Sequence, residues 1–279
     1  MIVVTGATGT IGRALIEELG GAVRAVVRRV EQGEELGCEY VVGDLERPES
    51  IPIEPGDRLF LNSALWPGFV RAHRAVIDHA AAAGVAQVVT VSVRGVTSGS
   101  LLGFGQHGQV DEHLKASGVP WSILAPVGFM QNLPGDVDEE GRIFGSYGRG
   151  GVGYIDARDI AAVAAVLLTR PVGADATYEL TGPVAPTHDE VAAELTRTLG
   201  RTVRYVDLPV EEAAVHLEKR GMPAPAAHDL AELMAQIGDG RWASTTTTVA
   251  DILGREPRSL REFLGEIRLG VMTPAVRRR

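Results

Sequence analysis

The sequence predicts an α/β protein in which a doubly wound parallel sheet is followed by a small α-rich carboxyl-terminal lobe. First, an apolar β-branched run at residues 1–5 leads through a glycine-rich turn into a helix. Second, short β-rich runs then alternate with amphipathic helices as far as residue 124, which is typical of βαβ units. Third, the pattern changes after residue 133 to a glycine-rich acidic stretch and then to mostly helical segments.

Apolar runs and their boundaries place the elements of the first part. Strands are expected at 1–5, 23–27, 39–42, 58–61, 87–91 and 121–124, the last of them stopped by Pro126. Helices are expected at 13–19, at 70–83 before Gly84, and at 107–117 before Gly118. Right-handed crossovers between such strands give a doubly wound fold, which binds its ligands at the carboxyl ends of the strands.

The later part of the chain is predicted to form a smaller, substrate-binding lobe. Helices are expected at 156–168, 186–199, 209–220, 226–237 and 259–267, with strands at 178–181 and 203–208. Thr187 and Glu190 have the spacing of a capping box at the start of the second of these helices. We therefore expect a cofactor domain at 1–132, to which 154–172 returns, a substrate lobe at 133–153 and 173–270, and a flexible tail at 271–279.

The composition argues against several classes of protein. The net charge of −9 over 279 residues disfavours nucleic acid or an anionic membrane surface as a partner. A single cysteine rules out an internal disulfide and a cysteine metal cluster, and no histidine spacing indicates a metal site. The longest apolar run, 160–168, is too short to span a bilayer. We expect a soluble cytoplasmic protein, monomeric or homodimeric, that acts on a small molecule.

The glycine turn after the first strand is the most specific motif in the chain. Gly6 allows a sharp turn, Gly9 lets a pyrophosphate approach the backbone, and Gly12 lets the helix lie close to the strand. The free N–H groups of the helix start would face the phosphates, as in the Rossmann dinucleotide-binding fold. The residues expected to line the diphosphate are Gly6, Thr8, Gly9, Thr10, Ile11 and Gly12. The alternative is a tight turn without a ligand.

The end of the second strand indicates which dinucleotide binds. Enzymes that use NAD place an acidic residue there, on the ribose 2′-hydroxyl, whereas this chain has Arg28 followed by Arg29. A guanidinium pairs with a 2′-phosphate through two parallel hydrogen bonds. We therefore predict NADPH rather than NADH, with Arg28 as the main contact. The alternative is a solvated pair of arginines in an arginine-rich protein.

Further cofactor contacts are expected where the next strands end. Asp44 and Leu45 follow the third strand and would meet the adenine, unless Asp44 only caps a helix. The run Asn62-Ser63-Ala64 follows the fourth strand and would pass under the nicotinamide ribose. Ser92 ends the fifth strand and would lie near the nicotinamide ring.

Several segments of the chain are together similar to those of a known protein family. They are the turn from Thr5 to Gly12, the runs 23–28 and 43–45, the run 117–124 with Pro126, and the runs 129–133 and 156–161. In this set the chain resembles the NmrA-like branch of the atypical short-chain dehydrogenase/reductases, in register to about residue 265. The resemblance implies an NADP-binding reductase of quinones, enones, imines or azo dyes, or a redox sensor without turnover. It also implies that Pro126 and Phe129 contact the cofactor.

The chain departs from this family in two places near the nicotinamide end. Ala125 stands where the family usually has arginine, and Ser92-Val93 stands where it often has two small hydroxyl residues. Both changes remove polar groups.

The usual acid of short-chain reductases is absent from this sequence. A Tyr-x-x-x-Lys pair is excluded because the residues four before Lys115 and Lys219 are Asp111 and Val215. His107 is the best remaining acid, since a histidine titrates near neutral pH, and Asp111 could orient its ring from one turn away. Ser92 is a second possible donor. The alternative is a surface His–Asp pair.

Aromatic and sulfur side chains after the strand ends predict an apolar substrate site. Trp66, Phe104 and Met130 are the expected wall residues, with ordinary core packing as the alternative for each. The glycines between 99 and 108 could make that segment a mobile lid. The sequence thus favours an NADPH-dependent reductase of a small unsaturated, aromatic or quinonoid molecule, with a tailoring step in secondary metabolism as one such role. The alternatives are a redox-sensing regulator and a cofactor-dependent epimerase or dehydratase.

Overall fold

The computed structural model describes residues 1–268, which form two compact units. The first unit comprises Met1–Pro126, Ala157–Glu179 and Asp251–Gly254. The second unit comprises Val127–Asp156, Leu180–Ala250 and, among the described residues, 255–268. The flexible tail expected at 271–279 lies outside the described residues.

The first unit is built on the sheet that the sequence predicts. Seven strands lie in the order β3-β2-β1-β4-β5-β6-β8, and the neighbours from β3 to β6 pair in parallel. The strands of both units are β1 (Ile2–Val4), β2 (Arg24–Val27), β3 (Glu39–Val42), β4 (Arg58–Leu61), β5 (Gln87–Val91), β6 (Trp121–Pro126), β7 (Arg142–Gly145), β8 (Ala176–Leu180) and β9 (Arg204–Asp207). The order reverses between β1 and β4, and doubly wound sheets bind ligands at that point, beyond the carboxyl ends of the strands.

Helices cover the sheet of the first unit and form a large part of the second unit. They are α1 (Thr10–Glu18), α2 (Val30–Glu34), α3 (Phe69–Ala83), α4 (Phe104–Ala116), α5 (Ala157–Thr169), α6 (His188–Leu199), α7 (Val210–Lys219), α8 (Ala224–Gln236), α9 (Thr248–Leu253) and α10 (Leu260–Arg268). Among residues 1–268, no helix has both the length and the apolar character needed to cross a bilayer.

Helix α3 illustrates how sequence pattern sets the packing. Its buried side chains recur at the three- and four-residue spacing of one helix face, and Gly84 ends it with a left-handed φ of 73°. Val76 and Ile77 on this face pack with Leu59 and Val88 of the sheet in the main hydrophobic cluster. The sheet and its covering helices therefore form a rigid base for the loops at the strand ends.

The structure differs from the expected local structure in two places. Helix α4 begins at Phe104 rather than at 107. Gly105 and Gly108, which have the composition of a loop, lie inside this helix. The acidic stretch after residue 133 contains strand β7, which pairs in parallel with β9 in a second, two-stranded sheet. The capping box at Thr187 and Glu190 is confirmed.

Candidate cofactor and active site

The turn between β1 and α1 is shaped by its glycines. Gly6 has a φ of +62°, and a Cβ there would lie 2.5 Å from the carbonyl oxygen of Asn62. A Cβ on Gly12 would collide with the Gly6 carbonyl group and with the Cα of Ala7. Only residues without a side chain allow the turn, the helix start and the end of β4 to approach this closely.

The amino end of α1 is suited to bind an anion. Gly9 is its N-cap residue, and the first backbone bond of the helix runs from the Arg13 N–H to the Gly9 carbonyl at 2.9 Å. Within the described chain, no side chain caps this helix and its first turn carries no acidic residue. The N–H groups of Thr10, Ile11 and Gly12 therefore point out of the helix end without an intrahelical partner. These donors and the helix dipole fit the diphosphate of a dinucleotide.

Thr5 joins the two strand ends at the point where the strand order reverses. Its buried hydroxyl donates to the carbonyl oxygens of Asn62, at 3.0 Å, and Phe60, at 3.2 Å. The Asn62 N–H donates back to the same hydroxyl at 2.9 Å. This clamp fixes the loop from Asn62 beside the glycine turn. Sequence reasoning used Thr5 only as part of a motif, because its partners lie more than fifty residues away.

Arg28 and Arg29 directly follow β2, and both side chains are exposed. Arg29 is the N-cap residue of α2 and has an extended backbone. Across residues 1–268 neither guanidinium takes part in an ion pair or a side-chain hydrogen bond. Both are therefore available to an anionic ligand at the carboxyl end of β2.

The Asp44 carboxylate makes a local turn contact. It accepts a hydrogen bond from the Glu46 N–H at 3.0 Å, while the Asp44 N–H donates to the Ser50 hydroxyl at 2.8 Å. Leu45 is partly buried against the main hydrophobic cluster. The loop after β3 is thus held in place by its own side chains, at the end of the sheet that also carries the glycine turn.

A buried histidine supports the loop after β4. His73 is 1% exposed, its Nδ1 lies 2.9 Å from the Phe69 carbonyl oxygen, and its Nε2 lies 3.3 Å from the Ser63 hydroxyl. Burial lowers the pKa of His73 to about 4, so the ring is neutral near pH 7. Because a carbonyl only accepts, Nδ1 carries the proton, and Nε2 is an acceptor for the Ser63 hydroxyl, which also has the Ala64 carbonyl as an acceptor at 3.0 Å. Sequence reasoning only excluded a metal site for the histidines and assigned no role to His73, so this one was missed.

Trp66 and Phe69 surround the same histidine. The Trp66 ring lies 5.6 Å from that of Phe69 and 5.8 Å from that of His73. Phe69 is buried in the hydrophobic cluster, whereas Trp66 is only half-buried. Trp66 is thus partly exposed, two residues after the exposed Ala64.

The structure pairs Asp111 with Ser92 rather than with His107. The Ser92 hydroxyl donates to Oδ2 of Asp111 at 2.5 Å, and both side chains are buried. Burial raises the pKa of Asp111 to about 6, although the hydrogen bond from Ser92 opposes this shift. The expectation that Asp111 orients the His107 ring is therefore replaced by a direct Ser92–Asp111 contact.

His107 lies against an aromatic ring. Its imidazole meets the Phe69 ring edge-on, with centroids 5.0 Å apart. Burial lowers the pKa of His107 to about 4. The expectation that it titrates near neutral pH is therefore wrong, and the ring is neutral under ordinary conditions.

The segment from 99 to 108 is packed more tightly than a lid requires. A Cβ on Gly108 would collide with the backbone of Thr97, and one on Gly105 would lie 2.7 Å from the Ser100 carbonyl oxygen. These glycines let the loop lie on α4 and do not loosen it. Phe104 is the first residue of α4, is half-buried, and is not part of a loop.

In the second unit, residues from 128 to 156 hold one another through backbone bonds. Phe129 forms a parallel bridge with Ile155, and the Met130 N–H donates to the Ile155 carbonyl at 3.0 Å. Phe129 is half-buried, but Met130 is 1% exposed. Met130 is therefore a core residue and not part of a substrate site. This outcome agrees with the core-packing alternative given for it from the sequence. In the first unit, the Pro126 carbonyl accepts from the Arg94 N–H at 2.9 Å.

Tyr154 is buried in the second unit and hydrogen-bonded there. Its hydroxyl shares a hydrogen bond of 3.0 Å with Nε2 of His188, whose ring stacks on Tyr147. Burial raises the pKa of Tyr154 and lowers that of His188 to about 4, so both groups are neutral. This tyrosine is not poised as an acid. Among residues 1–268, no group of three or more His, Cys, Asp or Glu side chains could hold a metal ion.

Comparisons with known proteins agree with this geometry. A family profile described as NAD(P)H-binding matches residues 6–171. An NAD(P)H azoreductase of Xenophilus azovorans is 36% identical over 275 residues, covering 94% of this chain and 96% of its own.

Two similar solved structures contain bound NADPH or NADP(H). An NADPH-dependent quinone oxidoreductase of Escherichia coli, complexed with NADPH, superposes with a TM-score of 0.84 at 27% identity, covering 96% of this chain and 99% of its own. The Citrobacter triphenylmethane reductase complexed with NADP(H) superposes with a TM-score of 0.81 at 25% identity, covering 95% and 99%. The family profile begins at Gly6, the first glycine of the turn.

Proposed function

Because this chain belongs to the NAD(P)H-binding family and is a reductase related to azoreductases and quinone oxidoreductases, we propose that it reduces flat conjugated acceptors. Quinones, azo compounds and cationic triphenylmethane dyes are the acceptors to test first. The observation that carries the proposal is the uncapped start of α1, which the glycine turn brings to the point where the strand order reverses.

We assign cofactor binding to residues of the first unit. The turn from Gly6 to Gly12 would hold the diphosphate, and Arg28, assisted by Arg29, the 2′-phosphate. The remaining contacts proposed are Asp44 and Leu45 at the adenine, Asn62, Ser63 and Ala64 at the nicotinamide ribose, and Ser92 and Pro126 near the nicotinamide. The cofactor contact of Phe129 that the family resemblance implies stays a prediction. Bound NADPH supplies the hydride.

Half-buried aromatic rings favour a flat acceptor. Trp66 and Phe104 are each partly exposed in the first unit, and such rings bind conjugated molecules by stacking and by burial of apolar surface. Met130 is not carried forward as a substrate contact because it is buried. The protein has no tyrosine–lysine pair that could protonate an alcohol oxygen, so acceptors that are already electrophilic are favoured.

A single-turnover experiment separates this reductase from a redox sensor. The purified protein is loaded with one equivalent of NADPH and mixed in turn with menadione, an azo dye and crystal violet, while absorbance follows cofactor oxidation. We expect oxidation by at least one acceptor, faster than without protein. A protein that binds NADPH and leaves it unoxidised with every acceptor is a sensor instead. An epimerase or dehydratase would also leave the bound NADPH unoxidised with these acceptors. It would differ from a sensor in converting its own substrate without net consumption of NADPH.

Several finer expectations stay predictions. They are membership of the NmrA-like branch, a role in secondary metabolism, a cytoplasmic location, a monomeric or homodimeric state, and substrate binding by the second unit.

A further inference from the structure

Ser92 and Asp111 form an isolated polar pair inside the first unit. Ser92 stands at the carboxyl end of β5, where its N–H donates to the Leu124 carbonyl at 2.7 Å. Asp111 reaches it from α4, and their oxygens are 2.5 Å apart. Ser92 is 2% exposed and Asp111 9%, so bulk water competes little for this contact.

The direction of this hydrogen bond depends on one proton. When Asp111 is ionised it can only accept, and the Ser92 hydroxyl must point at it. When Asp111 is protonated, its own O–H can donate to Ser92, and the Ser92 hydrogen is released to turn elsewhere. Because burial raises the pKa of Asp111 to about 6, the protonated form is accessible near physiological pH.

We propose that Ser92 and Asp111 deliver the proton that accompanies hydride transfer, with Ser92 touching the acceptor and Asp111 resupplying it. This inference rests on the proposed function of the same site. In each cycle the Ser92 O–H bond breaks as its proton passes to the acceptor oxygen or nitrogen. The proton of Asp111 then passes to Ser92, and the resulting carboxylate takes a proton from solvent. Solvent thus supplies one proton for each hydride.

The charged groups around Asp111 leave it able to take up this proton. On α4 itself, Lys115 lowers its pKa and Glu112 raises it. Helix α3 packs against α4, and its Arg74 donates to the Gln109 carbonyl rather than to Asp111. The imidazoles of His73 and His107 are neutral, since burial lowers the pKa of each to about 4.

Acceptors differ in whether they need this proton. A quinone that gains a hydride becomes a hydroquinone anion and needs one proton to become the neutral hydroquinone. Crystal violet is a cation, and a hydride added to its central carbon gives the neutral leuco dye without a proton. The pair should therefore matter for menadione and much less for crystal violet.

The test compares the two acceptors in matched variants. Asp111→Asn keeps an oxygen that accepts from Ser92 but cannot carry a proton, and Ser92→Ala removes the donor. Each should lower the ratio of menadione kcat to crystal violet kcat by about a hundredfold, the usual contribution of general acid catalysis. The double variant should lose no more than either single one. Glu18→Gln, an exposed carboxylate of α1 that does not shift Asp111, should retain the ratio of the unaltered protein.

A second readout needs neither acceptor nor cofactor. Infrared spectroscopy of the protein should show a protonated carboxyl C=O band that disappears with a midpoint near pH 6 and is missing in Asp111→Asn. An unchanged acceptor ratio in both single variants, or the lack of this band, overturns the inference. So does an unaltered protein that reduces crystal violet but not menadione. If it reduces neither acceptor, nor any other in the panel, the proposed function fails instead.

Discussion

The pH dependence of stability gives a direct measure of the environment of Asp111. In the folded protein its pKa rises from the ordinary value of 3.8 to about 6, mainly because burial disfavours the carboxylate. Between about pH 4 and pH 6 the folded state therefore keeps a proton that the unfolded state has lost. Raising the pH through this range lowers the free energy of unfolding, by about 3 kcal/mol at 1.36 kcal/mol per pKa unit.

Asp111→Asn removes this titration while leaving an acceptor for the Ser92 hydroxyl. Urea unfolding from pH 4 to pH 8 should show the unaltered protein losing about 3 kcal/mol relative to the variant as the pH rises. Taking the difference between the two proteins cancels the other carboxylates, such as Glu194, whose pKa is lowered by Arg261. Glu18→Gln, an exposed carboxylate of α1 that does not shift Asp111, serves as the control and should keep the dependence. Parallel stability profiles for Asp111→Asn and the unaltered protein would refute the reasoning.

Two further predictions concern the loops at the strand ends. Gly6 and Gly20 share a left-handed φ, at 62° and 59°, but only at Gly6 does a Cβ meet another group, the Asn62 carbonyl. Gly6→Ala should therefore abolish NADPH binding in calorimetry while Gly20→Ala keeps it, and equal affinities would contradict the cradle. His73→Phe and Ser63→Ala should show a coupling of about 1 kcal/mol in NADPH affinity, since His73 acts through Ser63. Strictly additive losses would mean that His73 serves the fold alone.

Much of the sheet could be predicted from the sequence because its signals are local. The apolar runs at 39–42, 58–61 and 87–91 are strands with those bounds in the structure. Helix α3 was expected at 70–83 and begins one residue earlier. The capping box needs only Thr187 and Glu190, and its bonds form at 2.8 and 3.3 Å. These patterns depend on neighbours within a few residues.

The errors arise where distant residues decide the structure. Strand β7 is short, and its partner β9 lies about sixty residues later, so nothing near β7 reveals the pairing. Gly105 and Gly108 have the composition of a loop, but the backbone of residues 97–100 lies so close to α4 that only glycine fits. Local pattern alone therefore misplaced the start of this helix.

The candidate site shows the same division. The positions of the glycine turn and of Arg28 could be predicted from the sequence because each directly follows a strand. The partner of Asp111 was not, because i to i+4 spacing favours His107 whereas the tertiary fold brings Ser92 within 2.5 Å. Burial then lowers the pKa of His107, which its type alone does not predict.

The most direct test of the cofactor assignment is the affinity of Arg28→Ala for NADPH and NADH. Calorimetry on the unaltered protein, on Arg28→Ala and on Arg29→Ala would compare the two neighbouring exposed arginines. We predict that Arg28→Ala loses about 2 kcal/mol of NADPH affinity, a charge-assisted contact, and keeps its NADH affinity, with a smaller loss for Arg29→Ala. If the preference for NADPH over NADH survives in Arg28→Ala, Arg28 does not recognise the 2′-phosphate and the assignment is wrong.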